Sequence, residues 1–112
     1  MRTSARYIEG AIFSLPFYAP LATGAGRRFA DSYAALNGGP PDVFSAFAFD
    51  AFTFVHNAVE RGARTRDALG TALAQLGEVE TTTAAGGFNA NREPIHATRV
   101  YVVTHGALVP LP

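Results

Sequence analysis

Asp42-Val-Phe-Ser-Ala-Phe-Ala-Phe-Asp-Ala-Phe-Thr-Phe-Val-His-Asn-Ala-Val-Glu-Arg-Gly62 is the longest periodic stretch of the chain. Asp42 stands where an N-cap belongs, and Gly62 where a left-handed residue closes a helix. Between them Phe44, Phe47, Ala48, Ala51, Val55, Ala58 and Val59 recur at helical spacing, which predicts one long helix from Val43 to Arg61. Phe49, Phe52 and the neighbouring Ala and Thr positions make the opposite side apolar as well. The first half of this helix is therefore expected to be buried on nearly all sides.

Moving toward the N-terminus, Asn37-Gly-Gly-Pro-Pro41 separates the long helix from an earlier one. That earlier helix is expected from Arg27, with Phe29, Ala30, Tyr33, Ala34 and Leu36 on one face. Before it, PFYAPLATGAG reads as an extended connection, and Gly10 to Leu15, closed by Pro16, reads as a short buried strand. Moving toward the C-terminus, Thr65 caps a short amphipathic helix with Ala68, Leu69, Ala72, Leu73 and Leu76 inward and Gly77 as its stop. The period then changes. Asn89 to Pro94 is turn chemistry, Thr98 to Thr104 is a strand rich in Val and Tyr, and His105-Gly106 turns the chain into Ala107-Leu-Val109. A strand, three helices and a closing group of strands predict an α/β fold, three helices packed on a small mixed sheet, in a single domain over residues 1–112 around one centre.

Composition narrows the function classes. Apolar residues make up 48% of the 112 and charged residues 16%, enough burial to order the chain. The net charge is zero and the arginines are dispersed, so no nucleic-acid partner is expected. The chain has no cysteine, hence no disulfide framework and no thiolate chemistry. MRTSARYIEG lacks the apolar run of a signal peptide, and no stretch reaches the ~20 apolar residues of a membrane span. As written, the chain is expected neither to export itself nor to cross a membrane.

No constellation for catalysis emerges. His56 has only Glu60 at ligand spacing, and His96 and His105 fall in the C-terminal strand region, so no metal site is expected. There is no Gly-x-Ser-x-Gly elbow. Gly24-Ala-Gly26-Arg-Arg precedes a helix but lacks the Lys-Ser/Thr of a phosphate loop. The reading is of a protein that is not an enzyme and carries no cofactor.

Three pieces, in this order, resemble the C-terminal part of type I periplasmic substrate-binding proteins, the extracellular ligand-binding receptors of ABC transporters for branched-chain amino acids and similar solutes. They are GAIFSLPFY, similar to a strand and hinge crossing; the long helix with its aromatic-Asp-Ala step, Phe49-Asp50-Ala51; and Gly86-Gly-Phe-Asn-Ala-Asn-Arg-Glu-Pro94 followed by Arg99 to Val103 and Gly106 to Val109. The resemblance runs from Glu9 to the C-terminus. Arg92 departs from it, standing where Gly is often found, with Asn91 beside it to take a left-handed conformation.

This resemblance implies a partial second lobe of a two-lobe binding protein, without the first lobe that holds the ligand's head group. It implies a non-catalytic solute-binding module with an incomplete cleft, working in the periplasm or outside the cell with an ABC permease. The alternative is a structural or oligomerisation domain that keeps the lobe fold without binding. The ligand wall surviving in this chain is Phe44, at the start of the long helix, with Phe17 and Tyr18 bordering the cleft from the hinge crossing. The apolar surplus on the long helix further predicts a homo-oligomer, in which Phe-rich faces or sheet edges of separate chains cover one another.

Overall fold

The computed structural model describes residues 7–112, which gather into two compact units. One is continuous, Phe17–Ala97; the other joins the N-terminal segment up to Pro16 with Thr98–Pro112. The chain thus passes from one unit to the other between Pro16 and Phe17 and again between Ala97 and Thr98.

The discontinuous unit is a three-stranded sheet in the order β1-β2-β3, with β1 Ile12–Leu15, β2 Arg99–Thr104 and β3 Ala107–Pro110. Both pairings are antiparallel, Ile12 lying opposite Val102 and Val102 opposite Val109, so the sheet is antiparallel where a mixed one was expected. The β2–β3 connection is the two-residue turn His105-Gly106, with φ of 53° and 76°. Two successive positive φ values give the strands the twist that a tight hairpin needs. Glu9 braces the turn, its carboxylate accepting from the His105 and Gly106 amides at 2.7 and 3.3 Å.

The continuous unit carries the three helices: α1 Gly24–Asn37, α2 Val43–Glu60 and α3 Arg66–Ala74. A single 3₁₀ turn, Ala19–Leu21, precedes them in what the sequence suggested was an extended connection. The start of α1 falls three residues ahead of Arg27, after Thr23 in extended conformation. Gly26 is there because of close approach: a Cβ at this position would lie 2.8 Å from the Thr82 carbonyl oxygen. The caps of α2 and α3 are those the sequence marks, Asp42 accepting from the Ser45 amide at 2.8 Å and Thr65 from the Ala68 amide at 3.2 Å.

The apolar interior has two clusters instead of one centre. Phe17, Ala19, Phe29, Ala30 and Ala46 form the first; Phe54, Ala58, Leu76 and Ala85 form the second, with Leu69 and Leu73 of α3 packed against it. Helix α2 contributes Ala46 to the first and Phe54 and Ala58 to the second, and buries Asp50 on the same face, each of the four being four residues from the last. This corrects the face read from the sequence. Phe44, Ala48, Ala51, Val55 and Val59 of the expected inward stripe are exposed, as are Phe49 and Phe52, so the first half of the helix is not enclosed. The orientation is set by Asp50, whose carboxylate has to be hydrogen-bonded where it is buried, and by the alanines, whose small side chains admit close neighbours.

Candidate functional site

Asp50 is 2% exposed, midway along a Phe-rich helix. Its carboxylate accepts four hydrogen bonds from one short segment: the Thr82 amide at 2.7 Å and hydroxyl at 2.8 Å on Oδ1, the Thr83 amide at 3.0 Å and hydroxyl at 2.6 Å on Oδ2. All its strong acceptor directions are used. Thr81 completes the segment through its own hydroxyl, which receives the Ala85 amide at 2.6 Å. Among the described residues no buried side-chain nitrogen or oxygen is left without a partner.

The network continues to His96. Thr83 Oγ1 lies 3.2 Å from His96 Nδ1 and has only one proton, which the shorter bond commits to Asp50. Thr83 therefore accepts from His96, which places a proton on Nδ1. The His96 ring rests on Phe47, centroids 5.2 Å apart. Together with Ala51, Phe54, Val55 and Phe88, these two residues border an apolar groove of about 440 Å³ beside α2. Asp50 and His96 are its polar members.

The three residues singled out from the sequence separate. Phe44 stands in solvent, 74% exposed, on the first turn of α2. That turn is rigid: Asp42 Oδ1 takes both the Ser45 amide and, at 2.7 Å, the Ser45 hydroxyl, which lies 3.4 Å from the Tyr33 hydroxyl. The Ser45 amide holds the Asp42 carboxyl below its ordinary value of 3.8. Phe17 is 6% exposed and meets Phe29 edge-on at 6.0 Å, a core position. Ala46 belongs to that same cluster and lies about 200° around the helix from Phe44, so Phe17 and Phe44 are on opposite sides of α2. Tyr18 is half-buried and opens the 3₁₀ turn.

Other candidates find ordinary settings. His56 is exposed and stacked on Phe52, centroids 5.9 Å apart, and His105 is a turn residue. Among the described residues no three His, Asp or Glu side chains come together as a metal site would require, and no helix is long and apolar enough to cross a membrane. Sequence reasoning missed Asp50, Thr82, Thr83 and His96. Their signal was present, as a carboxylate in the middle of a Phe-rich helix and three consecutive threonines.

The residues 1–107 match the family model for periplasmic binding proteins. No curated protein matches the chain. Among solved structures, a putative branched-chain amino acid ABC transporter from Rhodospirillum rubrum is 26% identical over 93% of this chain and 31% of its own, with a TM-score of 0.81. A leucine complex of an ABC transporter substrate-binding protein from Desulfitobacterium hafniense is 21% identical over 99% and 34%, also at 0.81. The leucine-binding protein of Thermotoga maritima is 20% identical over 94% and 31%, at 0.77. The architecture, the matched span and these neighbours agree: the chain belongs to the type I periplasmic binding protein family and spans about a third of the length of its solved relatives.

Proposed function

We propose that this chain is a non-catalytic part of a two-lobed solute receptor for amino acids or similar small molecules, working with an ABC permease in the periplasm or outside the cell, with Phe44 as a wall of the ligand cleft. The observation that carries the reading is the exposure of Phe44. A capped helical turn holds the Phe44 ring 74% exposed, where a ligand can reach it. The match of residues 1–107 to the periplasmic binding protein family supports a receptor of this kind. Tyr18 is the second candidate for the cleft border; Phe17, at 6% exposure, is withdrawn into the core.

Titration of the purified chain with L-leucine and L-isoleucine, read by thermal shift, tests this. A ligand that binds only the folded state raises its stability by RT ln(1 + [L]/Kd). The expected result is a rise in midpoint that Phe44→Ala abolishes, with the ligand-free midpoint unchanged because the ring is already in water. The proposal is overturned if no aliphatic amino acid moves the midpoint, or if the variant responds as the parent does.

A further inference from the structure

The chain has four asparagines, Asn37, Asn57, Asn89 and Asn91, and Asn37 alone is followed by glycine. With no Cβ, a glycine lets its backbone nitrogen approach the preceding side-chain carbonyl, where a bulkier residue would screen it. Asn37 is exposed and ends α1; Gly38 follows with φ of 76°, as the left-handed cap. Both groups are tied to the turn before them. The Asn37 Nδ2 amide donates to the Tyr33 carbonyl at 3.0 Å, and the Gly38 backbone amide donates to the Ala34 carbonyl at 2.9 Å. Helical side chains also lean toward the N-terminus, which carries the Asn37 carboxamide away from the Gly38 nitrogen. These restraints lie within α1 and its cap and need no neighbour from elsewhere in the protein.

We propose that Asn37 is a site of spontaneous covalent modification, converting to aspartate or isoaspartate through a cyclic imide with Gly38, and that the closed end of α1 holds the reaction back. The Gly38 nitrogen bonds to Asn37 Cγ, the Cγ–Nδ2 bond breaks, and Nδ2 leaves as ammonia with the proton that the Gly38 nitrogen gives up. Water then opens the imide. Breaking the bond from the Gly38 nitrogen to Cγ gives aspartate; breaking its bond to the Asn37 main-chain carbonyl carbon gives isoaspartate, with the backbone rerouted through Cβ. No electrons are transferred, and one water is taken up for one ammonia released. The reaction needs both hydrogen bonds broken, so it runs through opening of the last turn of α1, the terminal fraying that costs least in a folded protein. Neither product restores the closed end. An aspartate carboxylate has no N–H for the Tyr33 carbonyl and sits at the negative end of the helix dipole, while isoaspartate lengthens the main chain ahead of the Gly38 amide. The change therefore accumulates one way, in the Asn37–Pro41 connection that leads into the Asp42 cap of α2.

Incubating the purified chain in mildly alkaline buffer, folded or in guanidinium chloride, and mapping its peptides by mass spectrometry reads the reaction at each asparagine. In denaturant Asn37 is expected to convert fastest of the four, because Asn57, Asn89 and Asn91 precede Ala58, Ala90 and Arg92. In the folded chain Asn37 is expected to convert about tenfold or more slowly than in denaturant. Ala35→Gly, an exposed change inside the last turn, should speed the folded reaction by about two- to fivefold and leave the rate in denaturant unaltered. The proposal is overturned by a folded rate within about twofold of the denatured one, by an Asn37 that reacts no faster than the other three in denaturant, or by a folded rate that Ala35→Gly does not raise.

Discussion

Replacing Asp50 by alanine removes the acceptor of four hydrogen bonds in a position 2% exposed. Two of the donors have somewhere else to go: the Thr82 hydroxyl toward the Ala46 carbonyl at 3.3 Å, and the Thr83 hydroxyl toward His96 Nδ1 at 3.2 Å, once that nitrogen gives up its proton. The Thr82 and Thr83 amides do not. Each orphaned buried amide costs about 1–3 kcal/mol, so Asp50→Ala should destabilise the helical unit by about 2–6 kcal/mol. Asp50→Asn keeps one carbonyl oxygen and turns an NH₂ group toward two donors, for a loss of about 2–3 kcal/mol. Against a typical domain stability of about 5–15 kcal/mol, the alanine variant should stand close to unfolding. Urea titration followed by far-ultraviolet circular dichroism is the suitable assay, because the three helices all lie in this unit. The midpoint should fall at constant slope. An alanine variant within about 1 kcal/mol of the parent, or an asparagine variant of parental stability, would refute the account of Asp50 as the anchor of the Thr82–Thr83 segment.

Arg92 holds φ of +66° in an exposed turn, a strain of about 1–2 kcal/mol for a residue with a Cβ. Arg92→Gly should therefore stabilise the chain by a net ~0.5–1 kcal/mol after glycine's greater unfolded freedom, seen as a higher urea midpoint; a lower one would contradict the assignment of strain. The carboxyl of Asp42 is held below 3.8 by the Ser45 amide. Its folded value is thus depressed, so its contribution is present above 3.8 and is lost as pH falls below 3.8 through the folded value. In Asp42→Asn, which can still cap, that part of the acid dependence should be missing from melting curves; an unchanged acid limb would show that Asp42 does not set it.

Element identity was legible because the signals were local. Asp42 and Thr65 cap the helices they were expected to cap, and His105-Gly106 makes the expected hairpin. Burial was less legible. The period of α2 carries two apolar stripes, and hydropathy ranks the one with Phe44 and Val55 above the one with Ala46 and Asp50. The structure chose the second because a threonine segment far along the chain answers the carboxylate, a long-range fact that no periodicity encodes. The left-handed position in the Asn89–Pro94 turn illustrates the same limit: Asn91 is the residue suited to it, yet it falls on Arg92, with the Asn89 side chain accepting the amides of Asn91 and Glu93 on either side. Phe44 was named through the family resemblance, and nothing local in the sequence marked the separate groove beside His96, which depends on the same distant contact.

The helical unit is a continuous insertion between β1 and β2 of the other unit, and this imposes an order on synthesis. Strand β1 is translated before its partner Arg99–Thr104, with the whole helical segment between them. The helical segment can meanwhile complete all of its internal contacts. While the helical segment is being made, Ile12 and Phe13 of β1 lack their β2 partner, and that edge is a template for pairing with a neighbouring chain. A stop codon just after Ala97 would spare all three helices and remove β2 from beside that strand.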